Sequence, residues 1–145
     1  MSDAAQISYR AAPPFPVKSI GFWMAVLIVG LMALNTGRAF LAPVEFAQYL
    51  GLPLSDPPNV GFVYVYGLRA FFLGLFALVL ILRRDFIALQ WYALTAVVMA
   101  VGDAYLVTRS GGPLAIVARH LATGLYLVIT ALMLRRMTRQ ASTTE

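Results

Sequence analysis

The sequence predicts an all-α integral membrane protein, a bundle of four transmembrane helices with a short interfacial helix between the first and the second. Three observations carry this. Hydrophobic residues make up 61% of the 145 positions, and mean hydropathy is +0.80. Soluble domains run about 45–50% apolar, and a chain this short has too small an interior to hide the excess. The apolar residues fall into four stretches of roughly 20, the length a helix needs to cross a hydrocarbon layer about 30 Å thick. Lastly, the Lys and Arg residues cluster beside those stretches.

The stretches run from Ile20 to Leu41, Val60 to Leu82, Phe86 to Thr108 and Leu114 to Leu134. Helix is the only conformation that satisfies their backbone groups in lipid without a closed barrel. Gly and Pro punctuate the chain between them: "GLPLSDPPN" ends the first connection, "RRD" makes the second and "RSGGP" the third. The first stretch has the basic flank of a signal peptide. It is longer than such an apolar core, however, and no small-residue cleavage site follows, so a retained helix is expected. Within the first connection, "PVEFAQYLGLP" opens with Pro43 at an N1 position and stops at Gly51 and Pro53. It is too short to span, and it is expected to lie on the outer surface with Phe46 and Tyr49 at headgroup level.

Counting cations orients the chain. Arg10, Lys18, Arg83, Arg84, Arg135, Arg136 and Arg139 fall on one side, and Arg38 and Arg109 on the other, together with Glu45 and Asp56. The positive-inside rule places both termini in the cytoplasm of a multi-pass cell-membrane protein. Residues 1–19 read as an N-terminal tail, 20–134 as the transmembrane domain and 135–145 as a basic C-terminal tail. The net charge of +5 is thus topological, and no nucleic-acid partner is expected. With no cysteine, disulfides, Cys-ligated zinc and iron–sulfur clusters are excluded.

Polar residues inside the spans are the functional signal, because charge in hydrocarbon costs at least about 2.5–3.5 kcal/mol per group. Arg69 lies nine residues beyond Val60, about 13 Å below the outer boundary. Asp103, His120 and Asn35 lie at about 8–9 Å by the same rise per residue. Four polar groups from four helices therefore share the outer half of the membrane. The inner half, with "FFLGLFALVLIL" and "TGLYLVITALML", is almost wholly apolar. Arg69 and Asp103 are the natural ion pair, with His120 as a titratable neighbour. Asp103, His120 and Arg69 are the candidate catalytic residues: the carboxyl and imidazole exchange protons, and the guanidinium steadies developing negative charge. Asn35, Gly67, Thr123 and Gly124 are the candidate ligand-binding residues; the glycines allow close helix approach or leave room for a ligand, and Thr123 and Gly124 share a face with His120. Each has a blander reading: Arg69 snorkelling, Asp103 hydrated near a helix end, His120 a neutral core histidine, Asn35 helix–helix glue. Arg119, about 100° round the helix from His120, is expected to snorkel. One histidine without companion ligands makes no metal site, and no cofactor is called for.

The segments "FLAPVEFAQYLGLP", "YGLRAFFLGL", "VGDAYLV" and "ARHLATGLYLV", in that order and spacing, resemble the family of small four-helix membrane proteins catalogued as domain of unknown function four-two-six-seven. The likeness covers Gly30 to Leu134. It implies the four-helix fold and gives weight to Arg69, Asp103 and His120, but it supplies no reaction. Members of that family often carry an acid directly after the helix-two arginine; this chain has Ala70 there, leaving Asp103 as its one intramembrane carboxylate.

Three functions fit these residues. The first is an enzyme acting on a lipophilic small molecule by acid/base chemistry, such as isomerisation, epoxide opening or cyclisation. The second is a non-catalytic lipophile-binding or carrier protein, and the third a structural subunit or assembly factor stapled by the same groups. The bilayer is the expected surrounding, and nothing in the sequence indicates an oligomer.

Overall fold

A computed structural model describes residues 16–55 and 59–143. Arg10 and Asp56 of the charge count lie outside the described residues, as does most of the N-terminal tail. The elements are α1 (Ile20–Leu41), α2 (Pro43–Leu50), α3 (Gly61–Leu82), α4 (Phe86–Arg109) and α5 (Leu114–Thr143), with no strand among the described residues. Four of these helices are long and apolar enough to cross a membrane, and α2 sits between the first two of them. The expected spans agree with the observed helices to within a residue, except at the C-terminus. There α5 continues through Arg135, Arg136 and Arg139 to Thr143. Thirty residues make a rod about 45 Å long, so the helix outlasts the apolar layer and carries its cations beyond it.

The long helices form a ring in which α1 packs on α3, α3 on α4, α4 on α5 and α5 on α1. Successive spans run antiparallel, an up-down-up-down bundle. Few side chains are inside it. Phe72 is 63% exposed, Val98 74% and Leu125 62%. Such an apolar coat is a liability in water and the expected surface in lipid.

What holds the ring together is a set of small-residue seams. The buried face of α3 reads Val63, Gly67, Ala70, Gly74, Ala77, Ile81, alternating steps of four and three. That spacing keeps one stripe turned toward a partner at a shallow crossing angle. Gly67 meets Ala39 and Phe40 of α1, and Gly74 meets Met32. On α5 the buried positions His120, Gly124, Leu127, Ala131 and Leu134 follow the same rhythm, with Gly124 against Ala100 and Val97 of α4. Gly21 brings the start of α1 against the backbone of Met133 and Leu134. Tyrosine hydroxyls add cross-links, Tyr92 donating to the Leu73 carbonyl (3.0 Å) and Tyr126 to the Met24 carbonyl (2.6 Å).

The α3–α4 turn is set locally. Asp85 is the N-cap of α4, its Oδ1 accepting from the Ala88 amide at 2.9 Å. Asp85→Ala removes a partner from an otherwise unsatisfied helix-end donor and is expected to cost about 1 kcal/mol, read as a lower midpoint in SDS titration of the micelle-bound protein.

Helix α2 sits deeper than the sequence indicates. Phe46 is 2% exposed and packs with Ala39, Ala47, Leu50 and Val63, rather than lying at headgroup level. The small side chains at 39 and 47 let α2 settle onto α1 and α3, which buries the phenyl ring. Tyr49 does stay at the surface, 42% exposed.

Candidate functional site

The site is built from the N-terminal half of α3, the C-terminal half of α4 and the start of α5, with α2 fitted against them. Gly51 makes this possible. The Leu52 amide bonds the Ala47 carbonyl and the Gly51 amide bonds the Gln48 carbonyl, a Schellman end that needs a left-handed residue. Gly51 supplies it at φ 83°, and a Cβ there would lie 2.9 Å from Ile116 Cγ2. Glycine is required twice over, for the turn and for the close approach. The turn brings the Leu50 carbonyl to α5.

His120 receives it. His120 Nε2 lies 3.3 Å from Leu50 O, and Nδ1 lies 3.9 Å from Asp103 Oδ2. A carbonyl only accepts, so Nε2 must carry a hydrogen to bond it. In the neutral ring Nδ1 then faces Asp103 as a bare lone pair. A ring nitrogen in that state can take a proton from the carboxyl or return one. At 3.9 Å this is not a direct hydrogen bond. The Asp103 side chain is 31% exposed and the His120 side chain 11%, which makes the carboxyl the accessible member and the imidazole its backing.

Both residues line a cleft of ≈ 340 Å³ together with Tyr66 and Arg69 of α3 and an apolar rim that includes Leu50, Leu52, Phe62 and Leu106. The expected Arg69–Asp103 ion pair is not formed; Asp103 has His120 as its partner. Arg69 lies on the exposed side of α3, across the cleft, and makes no hydrogen bond or ion pair with a described residue. The guanidinium thus faces the cleft's opening rather than its floor.

The four candidate ligand-binding residues fall elsewhere. Asn35 is half-buried on α1, which contributes nothing to the cleft wall. Gly67 is filled by Ala39 and Phe40, and Gly124 by Ala100 and Val97. Thr123 is exposed and donates to the Arg119 carbonyl of its own helix. Arg119 does not snorkel free: it donates to the Tyr49 carbonyl and stacks on the Tyr49 ring, its Cζ 3.7 Å from the centroid. Arg38 of α1 approaches the same ring at 5.2 Å. These cation–π contacts hold α2 down.

Sequence reasoning passed over Tyr66 and the Leu50 carbonyl. Tyr66 precedes Arg69 by three residues, the helical spacing that puts both on one face, and that signal was legible. A main-chain acceptor brought in by a short helix leaves no trace in residue type. Among the described residues no His, Cys, Asp and Glu group has metal-holding geometry.

The profile of the family described as Domain of unknown function (DUF4267) matches residues 24–134. The chain belongs to this family. The match spans α2, α3 and α4 and most of α1 and α5, so it includes every wall of the cleft. Neither the curated proteins nor the solved structures give a match. Ala70, where the resemblance puts an acid in other members, is 4% exposed on the seam of small residues rather than in the cleft.

Proposed function

We propose that this protein is a membrane enzyme whose outer-leaflet cleft takes a lipophilic small molecule and transfers protons to and from it. The observation that carries this reading is the Asp103–His120 pair, a carboxyl 3.9 Å from an imidazole nitrogen, at the edge of a cleft whose other wall carries Arg69. Asp103 is the group that meets substrate. His120, oriented by the Leu50 carbonyl, takes up or returns the proton, and Arg69 binds or steadies negative charge. Isomerisation, epoxide opening and cyclisation suit such a site. Asp103 protonates a substrate oxygen or double bond, the dyad recovers a proton from a neighbouring carbon, and the product has the substrate's mass.

The test works with an unidentified substrate. Membranes containing the protein are incubated with the total lipid extract of its source cells and followed by chromatography and mass spectrometry. Pairs of equal-mass species, one falling and one rising, are expected with the native chain and not with Asp103→Asn. Equal conversion by Asp103→Asn and His120→Gln overturns the chemistry.

A structural role has one observation in its favour: His120–Leu50 and Arg119–Tyr49 both tie α5 to α2. It predicts that Asp103→Asn, which breaks neither tie, changes nothing measurable. A carrier role predicts ligand retention with no equal-mass conversion.

The same reading places the protein in the cell membrane with both termini in the cytoplasm, on the strength of the cation asymmetry. A phosphatase reporter fused after Glu145 is expected to be inactive, and a fluorescent protein at the same place bright. Phosphatase activity there reverses the orientation.

A further inference from the structure

A second cavity adjoins the cleft and shares one residue with it. A groove of ≈ 640 Å³ runs along α3 and is lined by Leu68, Phe71, Phe72, Leu75, Met99 and the stem of Arg69. Leu68 to Leu75 is seven residues, about 10 Å of helix directed away from the cleft toward the inner leaflet. No polar surface opens into it. Nearer the inner end the α3–α4 seam is closed by Tyr92, which bonds the Leu73 carbonyl and packs edge-on against Phe76 (5.9 Å). The groove is an apolar trough open along one side, with Phe72 63% exposed. Arg69, about 12 Å below the start of α3, lines both it and the cleft.

The Arg69 guanidinium has no counter-charge among the described residues. Asp103 is matched by His120, and Arg69 makes no ion pair or hydrogen bond with a described residue. A cation at such depth is costly unless something neutralises it. An anionic headgroup at Arg69 would do so through paired N–H donors, with its chain lying in the groove. Asp103 close by disfavours a head of more than one negative charge.

We propose that cleft and groove form one site for a single-chain amphiphile with a monoanionic carboxylate head, the head on Arg69 and the chain between α3 and α4. The inference rests on the cleft being a ligand site and names the ligand's class. Such a molecule enters sideways from the outer leaflet, and its first carbons lie beside Asp103.

A C16 carboxylic acid with a photoreactive diazirine at its far end tests this by binding alone, without turnover. The full chain is reconstituted in phosphatidylcholine nanodiscs and irradiated with the probe. Cross-links are expected on the segment from Phe71 to Phe76 and around Met99. Oleate should compete and oleyl alcohol should not. Arg69→Gln is expected to weaken labelling about tenfold, the loss of a charge-assisted contact. Met99→Trp, which fills the groove without touching the head, should do the same, and it guards against misfolding of the arginine variant. Labelling spread evenly round the four helices, competition by the alcohol equal to that by oleate, or unchanged labelling in both variants overturns the proposal. Labelling as expected without any equal-mass conversion upholds it and removes the chemistry. Asp103-dependent conversion without labelling does the reverse.

Discussion

On the proposed acid/base reading, Asp103→Asn is expected to lower equal-mass conversion by at least about 100-fold while the bundle keeps its stability. The magnitude is that of losing a positioned general acid or base. Asparagine has nearly the shape of aspartate, so the cleft keeps its outline. What it lacks is a proton that can leave and return. Helix packing gives no reason for a large stability loss: the seam residue is Ala104, 4% exposed, and Asp103 beside it looks into the cleft. The ties that pin α2, His120 to Leu50 and Arg119 to Tyr49, are untouched. The measurement is therefore a pair: turnover, and the SDS midpoint of the same preparation. Rate lost at constant midpoint is the signature of chemistry. Rate and midpoint both unchanged leave the α2–α5 ties as the role of the cluster. His120→Gln is the companion variant, because an amide can still donate to the Leu50 carbonyl while holding no labile proton. It is expected to fall between the native chain and Asp103→Asn, since the imidazole acts through the carboxyl.

Gly67→Leu is expected to destabilise the bundle by about 1–3 kcal/mol or more. A Cβ at position 67 would sit 2.7 Å from Ala39 Cβ and 3.1 Å from Phe40 Cε2. Neither is the far end of a flexible chain: one is a methyl on the backbone, the other a ring stacked on Tyr64 at 5.5 Å. The helices must separate, and in lipid no hydrophobic force draws them back, so close packing is most of what is lost. Thr36, whose hydroxyl reaches toward the Gly67 carbonyl at 3.4 Å while bonding the Met32 carbonyl at 2.8 Å, loses the first of these as well. Gly37→Leu is the control. Nothing lies within 4 Å of its added carbon, and the SDS midpoint should barely move. Equal effects at 67 and 37 would mean that close packing along the α1–α3 seam does not hold the bundle.

Much of the molecule was legible before folding was considered. Helix number and limits followed from apolar runs between Gly, Pro and charge, because bilayer thickness sets the length of each run. Asp103, His120 and Arg69 could be assigned to one level because rise per residue converts sequence position into depth. Asn35 passed the same test of depth yet stands away from the cleft. Gly67 and Gly124, read as allowing either close helix approach or room for a ligand, face Ala39 and Ala100 across the seams. Phe46 looked like an interfacial aromatic and is core.

These misreadings share one cause. Depth is a single coordinate, counted along a helix, and the sequence by itself determined it along with the number of spans and the shared level of the polar groups. The direction a side chain faces round the helix axis is a second coordinate. It depends on which stripe of each helix its neighbour covers, and that is decided by the small-residue seams acting together. Only the tertiary structure turned His120 to Asp103 and left Arg69 facing the opening. Only it brought a main-chain carbonyl, carried by α2 and its glycine turn, to the other side of the imidazole ring.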